Sequence, residues 1–207
     1  MPIHTNNIYI ISAASGTGKT SLVKALSESL NNITISISHT TRPIREGERE
    51  GKSYFYVDKK DFKNMIDQNQ FLEHAQVFDH YYGTSKKWVE QQTKNGYDVI
   101  LEIDWQGAQQ IKKKVSESIS IFILPPSKQE LQRRLETRNR DNKNNIIKRL
   151  SAAHEEIAHC VDFDFIVIND KFDVALTDLK SIINTQRLQK KAQLINYKNL
   201  LAELTKK

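Results

Sequence analysis

The octapeptide Ala13-Ala14-Ser15-Gly16-Thr17-Gly18-Lys19-Thr20 follows a short β-branched run, residues 8–11, and opens a stretch where Leu22, Val23 and Leu26 recur at helical spacing. Strand, glycine-bearing turn and helix in direct succession constrain the fold more than any other feature of the chain. The turn amides and the helix N-terminus converge on one point, and together they favour a polyphosphate there. In that frame Lys19 reaches the outer phosphates and Thr20 offers its hydroxyl to Mg²⁺. Ala13 stands where the general pattern has glycine, a place a methyl group occupies without cost when the local φ is negative. Taken alone the motif says nucleotide and does not say which reaction.

Beyond the loop, β-branched runs alternate with helical stretches. Strands are expected at 8–11, 33–37, 99–103, 119–124 and 165–168, and helices at 19–30, 105–113, 128–137 and 146–160, with a long one beginning near Val174. This alternation predicts an α/β fold with a parallel sheet, and with the phosphate loop the expected class is the P-loop NTPase fold, three layers (α/β/α) around a central parallel sheet. Between 38 and 96 the pattern changes. Strands there are aromatic and mixed, at 54–57 and 71–78, with a helix between them that Asp58 or Asp61 could cap. That region is expected to be an inserted mixed α+β subdomain. The polar, charged stretch 138–145 has no apolar anchor, and its arginines favour a lid over a linker.

A chain of 207 residues, 38% hydrophobic and 27% charged, fits one soluble domain with small insertions. The single cysteine, Cys160, has no partner in the chain for a disulfide, no apolar run approaches the roughly 20 residues of a membrane span, and residues 1–7 lack signal-peptide character. A cytoplasmic location with no membrane contact is the expectation. The net charge of +6 is concentrated in 185–207, where six basic residues face Glu203 alone, so the remaining body is nearly neutral and a nucleic-acid face is not expected. In that tail Leu188, Leu194, Ile195, Leu200, Leu201 and Leu204 recur at approximately helical spacing, predicting an amphipathic helix that packs on the body or on a second copy in a homo-oligomer.

Further motifs follow in order: Ser38-His39-Thr40-Thr41-Arg42-Pro43, Arg45-Glu46-Gly47-Glu48, Gly51-Lys52-Ser53-Tyr54, Phe71-Leu72-Glu73-His74-Ala75, Tyr81-Tyr82-Gly83-Thr84 and Ile103-Asp104-Trp105-Gln106-Gly107. With the phosphate loop, this set resembles guanylate kinase in its bacterial form, over roughly residues 8–183. The resemblance implies a core (1–37, 97–125 and 159–184), a GMP-binding subdomain (38–96) and a lid (126–158), with 185–207 as an extension. It implies transfer of a phosphoryl group from ATP, with Mg²⁺, to GMP or dGMP.

The resemblance also implies roles residue by residue. Ala13 to Thr20 bind ATP, through Ala13, Ala14, Ser15, Gly16, Thr17, Gly18, Lys19 and Thr20 in turn, and Asn169 borders the adenine. Arg42, Arg45, Tyr54 and Tyr82 hold the GMP phosphate, which suits forked guanidinium donors and hydroxyls. Ser38, Glu73, Thr84 and Asp104 read guanine, whose N1–H and amine face a carboxylate where adenine would present an acceptor. Arg134, Arg138 and Arg149 close over the transferring phosphoryl group and, with Lys19 and Arg42, make up the catalytic set. Thr20 serves Mg²⁺, and Glu102 stands near it, directly or through water, where the family usually has aspartate. Thr84 replaces the serine of some relatives. Residues 139–145 carry asparagines and Lys143 where the family tends to be acidic and glycine-rich.

Read singly, these residues have plainer uses. Tyr54 and Tyr82 suit cross-strand packing, Glu73 a solvated strand face and Arg134 a solvated helix face. Three alternatives therefore stand beside the kinase: a catalytically inactive guanylate kinase-like module that binds proteins, a kinase for another phosphorylated acceptor, and a nucleic-acid-binding ATPase. Retention of Gly16, Gly18, Lys19 and Thr20 argues against the first, the guanine-reading set against the second, and the near-neutral body against the third.

Overall fold

The computed structural model describes residues 6–77, 79–138 and 143–206, with the side chains of 138 and 143–148 left out of the description. The chain runs β1 (Ile8–Ala13), α1 (Lys19–Ser29), β2 (Ile33–Ile35), β3 (His39–Thr40), β4 (Phe55–Tyr56), α2 (Lys59–Asp67), β5 (Phe71–Val77), β6 (His80–Ser85) and α3 (Lys86–Lys94). It continues through β7 (Asp98–Glu102), α4 (Trp105–Lys114), β8 (Ile119–Leu124), α5 (Lys128–Arg138), α6 (Lys143–Ala158), a 3-10 turn (His159–Asp162), β9 (Phe165–Ile168), α7 (Phe172–Arg187), α8 (Lys190–Asn196) and α9 (Lys198–Leu204).

Five strands form a parallel sheet in the order β2-β7-β1-β8-β9. Tyr9, Ile10 and Ile11 of β1 are fully buried, as a strand covered on both faces requires. On one face Leu22, Val23 and Leu26 of α1 and Ala175, Leu179 and Ile183 of α7 pack on Tyr9, Ile11, Ile100, Ile121 and Ile123. On the other, Val89 of α3 and Ala108 and Ile111 of α4 pack on Ile10, Val99 and Leu101. Each fully buried aliphatic side chain contributes about 1.5–3 kcal/mol, so these clusters hold the expected three layers together. A buried ion pair closes the bottom of the sheet. Arg187 Nε donates to Asp98 Oδ2 at 2.8 Å, Asn7 N–H donates to Asp98 Oδ1 at 2.8 Å, and Arg187 Nη2 reaches Asn31 O at 2.8 Å.

The inserted region forms a second, mixed sheet in the order β4-β3-β6-β5. Asp58 caps α2, accepting from Asp61 N–H at 2.7 Å, and the helix buries Phe62 against Phe71 and Tyr81. The edge of this sheet is not left bare. From α4, Gln110 both donates to His74 O (2.7 Å) and accepts from His74 N–H (3.2 Å), and Lys114 Nζ donates to Leu72 O (2.6 Å). One helix of the core thus satisfies the outer backbone edge of β5.

Several boundaries differ from expectation. The strand expected at 33–37 ends at Ile35, with one more ladder bond from Ser36 N–H to Ile100 O. The strand expected at 54–57 keeps only two residues, because Tyr54 is drawn into a turn that receives Gly51 N–H. The strand expected at 71–78 ends at Val77, and Phe78 lies outside the described residues. The helix expected at 146–160 begins at Lys143 and gives way to the 3-10 turn after Ala158. The long tail helix is three helices. It breaks after Arg187, where Gln193 Nε2 donates to Arg187 O, and again at Tyr197. Among the described residues no helix is long and apolar enough to cross a membrane.

Candidate active site

Parallel pairing of β1 with β7, Ile11 opposite Glu102, brings the loops after both strands to one edge of the sheet. Ligands in open α/β sheets bind at the carboxyl ends of strands, and the cleft of this chain lies there. Lys19, Ser38, Tyr54, Glu73, Tyr82, Glu102, Ile103 and Asp104 line it together.

The phosphate loop has the conformation its glycines permit. Gly16 and Gly18 have φ of +87° and +93°, in the left-handed region that other residues avoid. Ala13 ends β1 opposite Ile123 and is not among the described residues with positive φ, so its methyl group is unstrained. Thr17 O is the focus of a clamp: it accepts from Asn169 Nδ2 at 2.7 Å and from Arg134 Nη1 at 3.4 Å, while Arg134 Nη2 donates to Asn169 O at 3.1 Å. A Cβ on Gly18 would lie 2.5 Å from Asn169 Nδ2. Asn169 is buried and its amide is spent on the loop.

Lys19 Nζ donates to Ile103 O at 3.2 Å. Burial pushes its ammonium pKa down, and the carboxylates of Glu102, Asp104 and Glu156 push it back up. Thr20 Oγ1 donates to Glu102 Oε1 at 2.6 Å, so the extra methylene of Glu102 brings its carboxylate onto the loop hydroxyl. Asp104 caps α4, accepting from Gly107 N–H at 2.8 Å.

On the opposite wall, Glu73 is 3% exposed and accepts from Thr84 Oγ1 at 2.6 Å. Burial raises its carboxyl to about 7, and Asp104 adds to the rise. The register of β5 and β6, with a shift between Phe71 and Glu73, sets Glu73 opposite Thr84. This inward carboxyl replaces the solvated one that alternation alone would give.

Arg42 is also buried. Its Nη2 donates to Glu48 Oε1 at 2.6 Å, and its guanidinium lies over the Tyr54 ring at 5.3 Å. Glu48 collects two more donors on Oε2, Tyr56 OH at 2.7 Å and Arg45 N–H at 2.9 Å. The Arg42 hydrogen bond is the main cause holding the Glu48 carboxyl down at about 2, while burial and Glu48 push Tyr56 up to about 12. Arg45 is exposed in the same loop.

The arginines of the two lid helices are divided. Arg134 is half-buried, and its Nε donates to Glu130 Oε1 at 2.7 Å. Arg149 is exposed on α6, and the Arg138 side chain and residues 139–142 lie outside the described residues. Leu131, Leu135 and Ala153 pack on Ala14, tying α5 and α6 to the loop. Glu156 of α6 reaches the loop as well, accepting from Ser15 N–H at 3.2 Å. Sequence reasoning gave Glu48, Gly107 and Glu156 no role. A carboxylate three residues after Arg45 and six after Arg42 was a usable signal for Glu48, whereas nothing local marks Glu156.

The chain matches the family model described as guanylate kinase over residues 5–186. It is 51% identical to the guanylate kinase of Coxiella burnetii, over 97% of this chain and 98% of that protein. With the guanylate kinase of Escherichia coli K12 it shares 49% identity over 95% and 96%. Among solved structures, the crystal structure of guanylate kinase from Anaplasma phagocytophilum covers 93% of this chain and 92% of its own, with TM-score 0.77 and 32% identity.

Proposed function

The chain belongs to the guanylate kinase family, and from that premise we propose that it transfers the γ-phosphoryl group of ATP to GMP or dGMP, yielding ADP and GDP. The observation that carries the proposal is the shared cleft. Lys19 at the phosphate loop and the buried Glu73–Thr84 pair line or border one cavity, so a donor and an acceptor nucleotide have facing walls.

In this proposal the loop amides of 13–20 and Lys19 hold the ATP phosphates, and Asn169 acts on that side through Thr17 O. Arg42, Arg45, Tyr54 and Tyr82 hold the GMP phosphate, with Glu48 keeping Arg42 in place. Ser38, Glu73, Thr84 and Asp104 read guanine, Thr84 orienting the Glu73 carboxylate that accepts from N1–H and the amine. Arg134, Arg138 and Arg149 neutralise charge on the transferring group, which is greatest in the transition state. Holding attacking and leaving oxygens in line is the remaining contribution of the chain. Mg²⁺ is proposed as cofactor. The contact of the Thr20 hydroxyl with the Glu102 carboxylate supplies the hard oxygen donors that it takes, and no cluster of three metal-binding side chains occurs among the described residues, which suits an ion carried mainly by the nucleotide. Thr20, with Glu102 beside it, would hold such an ion, which would offset phosphate charge. The inactive-module alternative finds no support, since the whole described loop is intact and the relatives are named as kinases. The cytoplasm is the proposed compartment.

An ADP-release assay with ATP and Mg²⁺ tests this, with GMP, dGMP, AMP, UMP and CMP offered in turn. Turnover confined to GMP and dGMP is expected, with kcat/KM for AMP lower by about 10³-fold or more. Equal use of AMP overturns the base assignment.

Glu73 makes a second prediction. Its carboxyl titrates near 7 in the free chain, and guanine requires the ionised form as acceptor. Lowering pH through 7 protonates the group, so the GMP Kd rises, approaching about tenfold per pH unit well below that point. Titration calorimetry between pH 5.5 and 8.5 reads this. In Glu73→Gln the remaining slope is that of the GMP phosphate, whose own second ionisation lies near pH 6.

A further inference from the structure

The wall behind Glu73 is the first turn of α4, and there the helix has no side chain. A Cβ built on Gly107 would lie 2.8 Å from Glu73 Oε2, 3.3 Å from Glu73 Cδ and 3.2 Å from Ile103 Cδ1. The first distance is closer than real Cβ atoms come to a neighbour, so something must give. The helix cannot easily retreat, because Gln110 is bonded in both directions to His74, next to Glu73, and Lys114 is bonded to Leu72 on its other side. The carboxyl is held as well: Oε1 accepts from Thr84 at 2.6 Å, and the residue is almost wholly buried. Gly107 N–H also donates to Asp104 Oδ1, so this one residue touches both acids of the pocket.

From these contacts we infer that Gly107 is a positioning residue for base selection: the bare backbone at the start of α4 is the floor on which the Glu73 carboxylate rests, and a side chain there would push that carboxylate toward the purine. The inference rests on the proposed role of Glu73 and goes beyond it, because it assigns the selectivity of the acceptor pocket to the seam between α4 and β5. Residues 107, 110 and 114 share one helix face, spaced by three and four. Gln110 and Lys114 fix the width of the seam, and Gly107 leaves the gap in it. The helix itself has no need of glycine at this position, since alanine is the better helix former.

The test compares the full-length chain with Gly107→Ala, Glu73→Asp and the double variant. Each is assayed for KM of GMP, KM of ATP, kcat, discrimination against AMP, and thermal midpoint. Gly107→Ala is expected to raise the GMP KM about tenfold or more and to lower the GMP/AMP ratio, because displacement of a recognition group by less than an ångström is enough for such losses. The ATP KM should stay within about twofold, since the clash is confined to the acceptor wall. Glu73→Asp also raises the GMP KM. In the double variant the shorter acid vacates the space, so adding Gly107→Ala costs little beyond Glu73→Asp alone. Should Gly107→Ala fold only when Glu73 is also shortened, the thermal midpoints report the same contact and support the inference.

A Gly107→Ala effect equal in both backgrounds overturns the inference, as does a silent Gly107→Ala beside a damaging Glu73→Asp, or a chain unfolded in both backgrounds. A Glu73→Asp variant with unchanged GMP KM overturns the guanine-reading role of Glu73 and this inference with it.

Discussion

Replacing Lys19 by alanine is expected to lower kcat by about 10²–10³-fold, the loss typical of removing one positioned donor from a developing negative charge. The half-buried Lys19 donates to the Ile103 carbonyl, which fixes it at the cleft wall ahead of the substrate, while Glu102, Asp104 and Glu156 oppose the lowering of its pKa by burial. Single-turnover measurement of phosphoryl transfer separates this loss from slow product release. The folded state should survive, because the variant removes a half-buried charge while the Thr20–Glu102 contact and the clamp on Thr17 are untouched. A kcat within a few-fold of the parent would show that the loop serves something other than transfer.

The largest expected effect on stability lies at the other end of the sheet. Arg187→Ala leaves Asp98 buried at 1% exposure with its charged partner gone, a change that costs about 3–5 kcal/mol. For a chain of this size the thermal midpoint should fall by on the order of 10 °C, while kcat at low temperature holds, since neither residue lines the cleft. Calorimetry checks the shift. Replacing both partners by apolar residues of similar volume should recover most of it, because the loss comes from the orphaned carboxylate and not from the attraction itself.

Much of this architecture was legible in the sequence. Three of the five core strands, β1, β7 and β8, are apolar runs that both sheet faces bury, so the signal is continuous and strong; β9 is equally apolar although only Val167 in it is buried. The phosphate loop was legible because its geometry depends on local backbone freedom at Gly16 and Gly18. β6 and α3 had no expectation. His80-Tyr81-Tyr82-Gly83-Thr84-Ser85 carries no clean alternation, and its strand exists because β5 and β3 flank it. In α3 only Val89 is buried, too little for a helical stripe, and Ser85 as its cap is visible only afterwards. The breaks in the tail have no glycine or proline to announce them. Arg187 is committed to Asp98, and Gln193 returns to cap its carbonyl, contacts across the fold that composition does not encode. The same holds within the site. Glu73 and Thr84 meet through strand register, whereas the contacts of Glu156 and Gly107 depend on how helices dock.

The clamp on the Thr17 carbonyl bears on the entropy of binding. With that oxygen anchored by Asn169 and Arg134, rotation of the neighbouring peptide planes is restrained, and contacts within the fold give the loop its anion-receiving shape. The first phosphate to arrive therefore meets a socket whose ordering was completed during folding. Loosening it through Asn169 would leave every loop residue in place and still make each nucleotide order the loop anew.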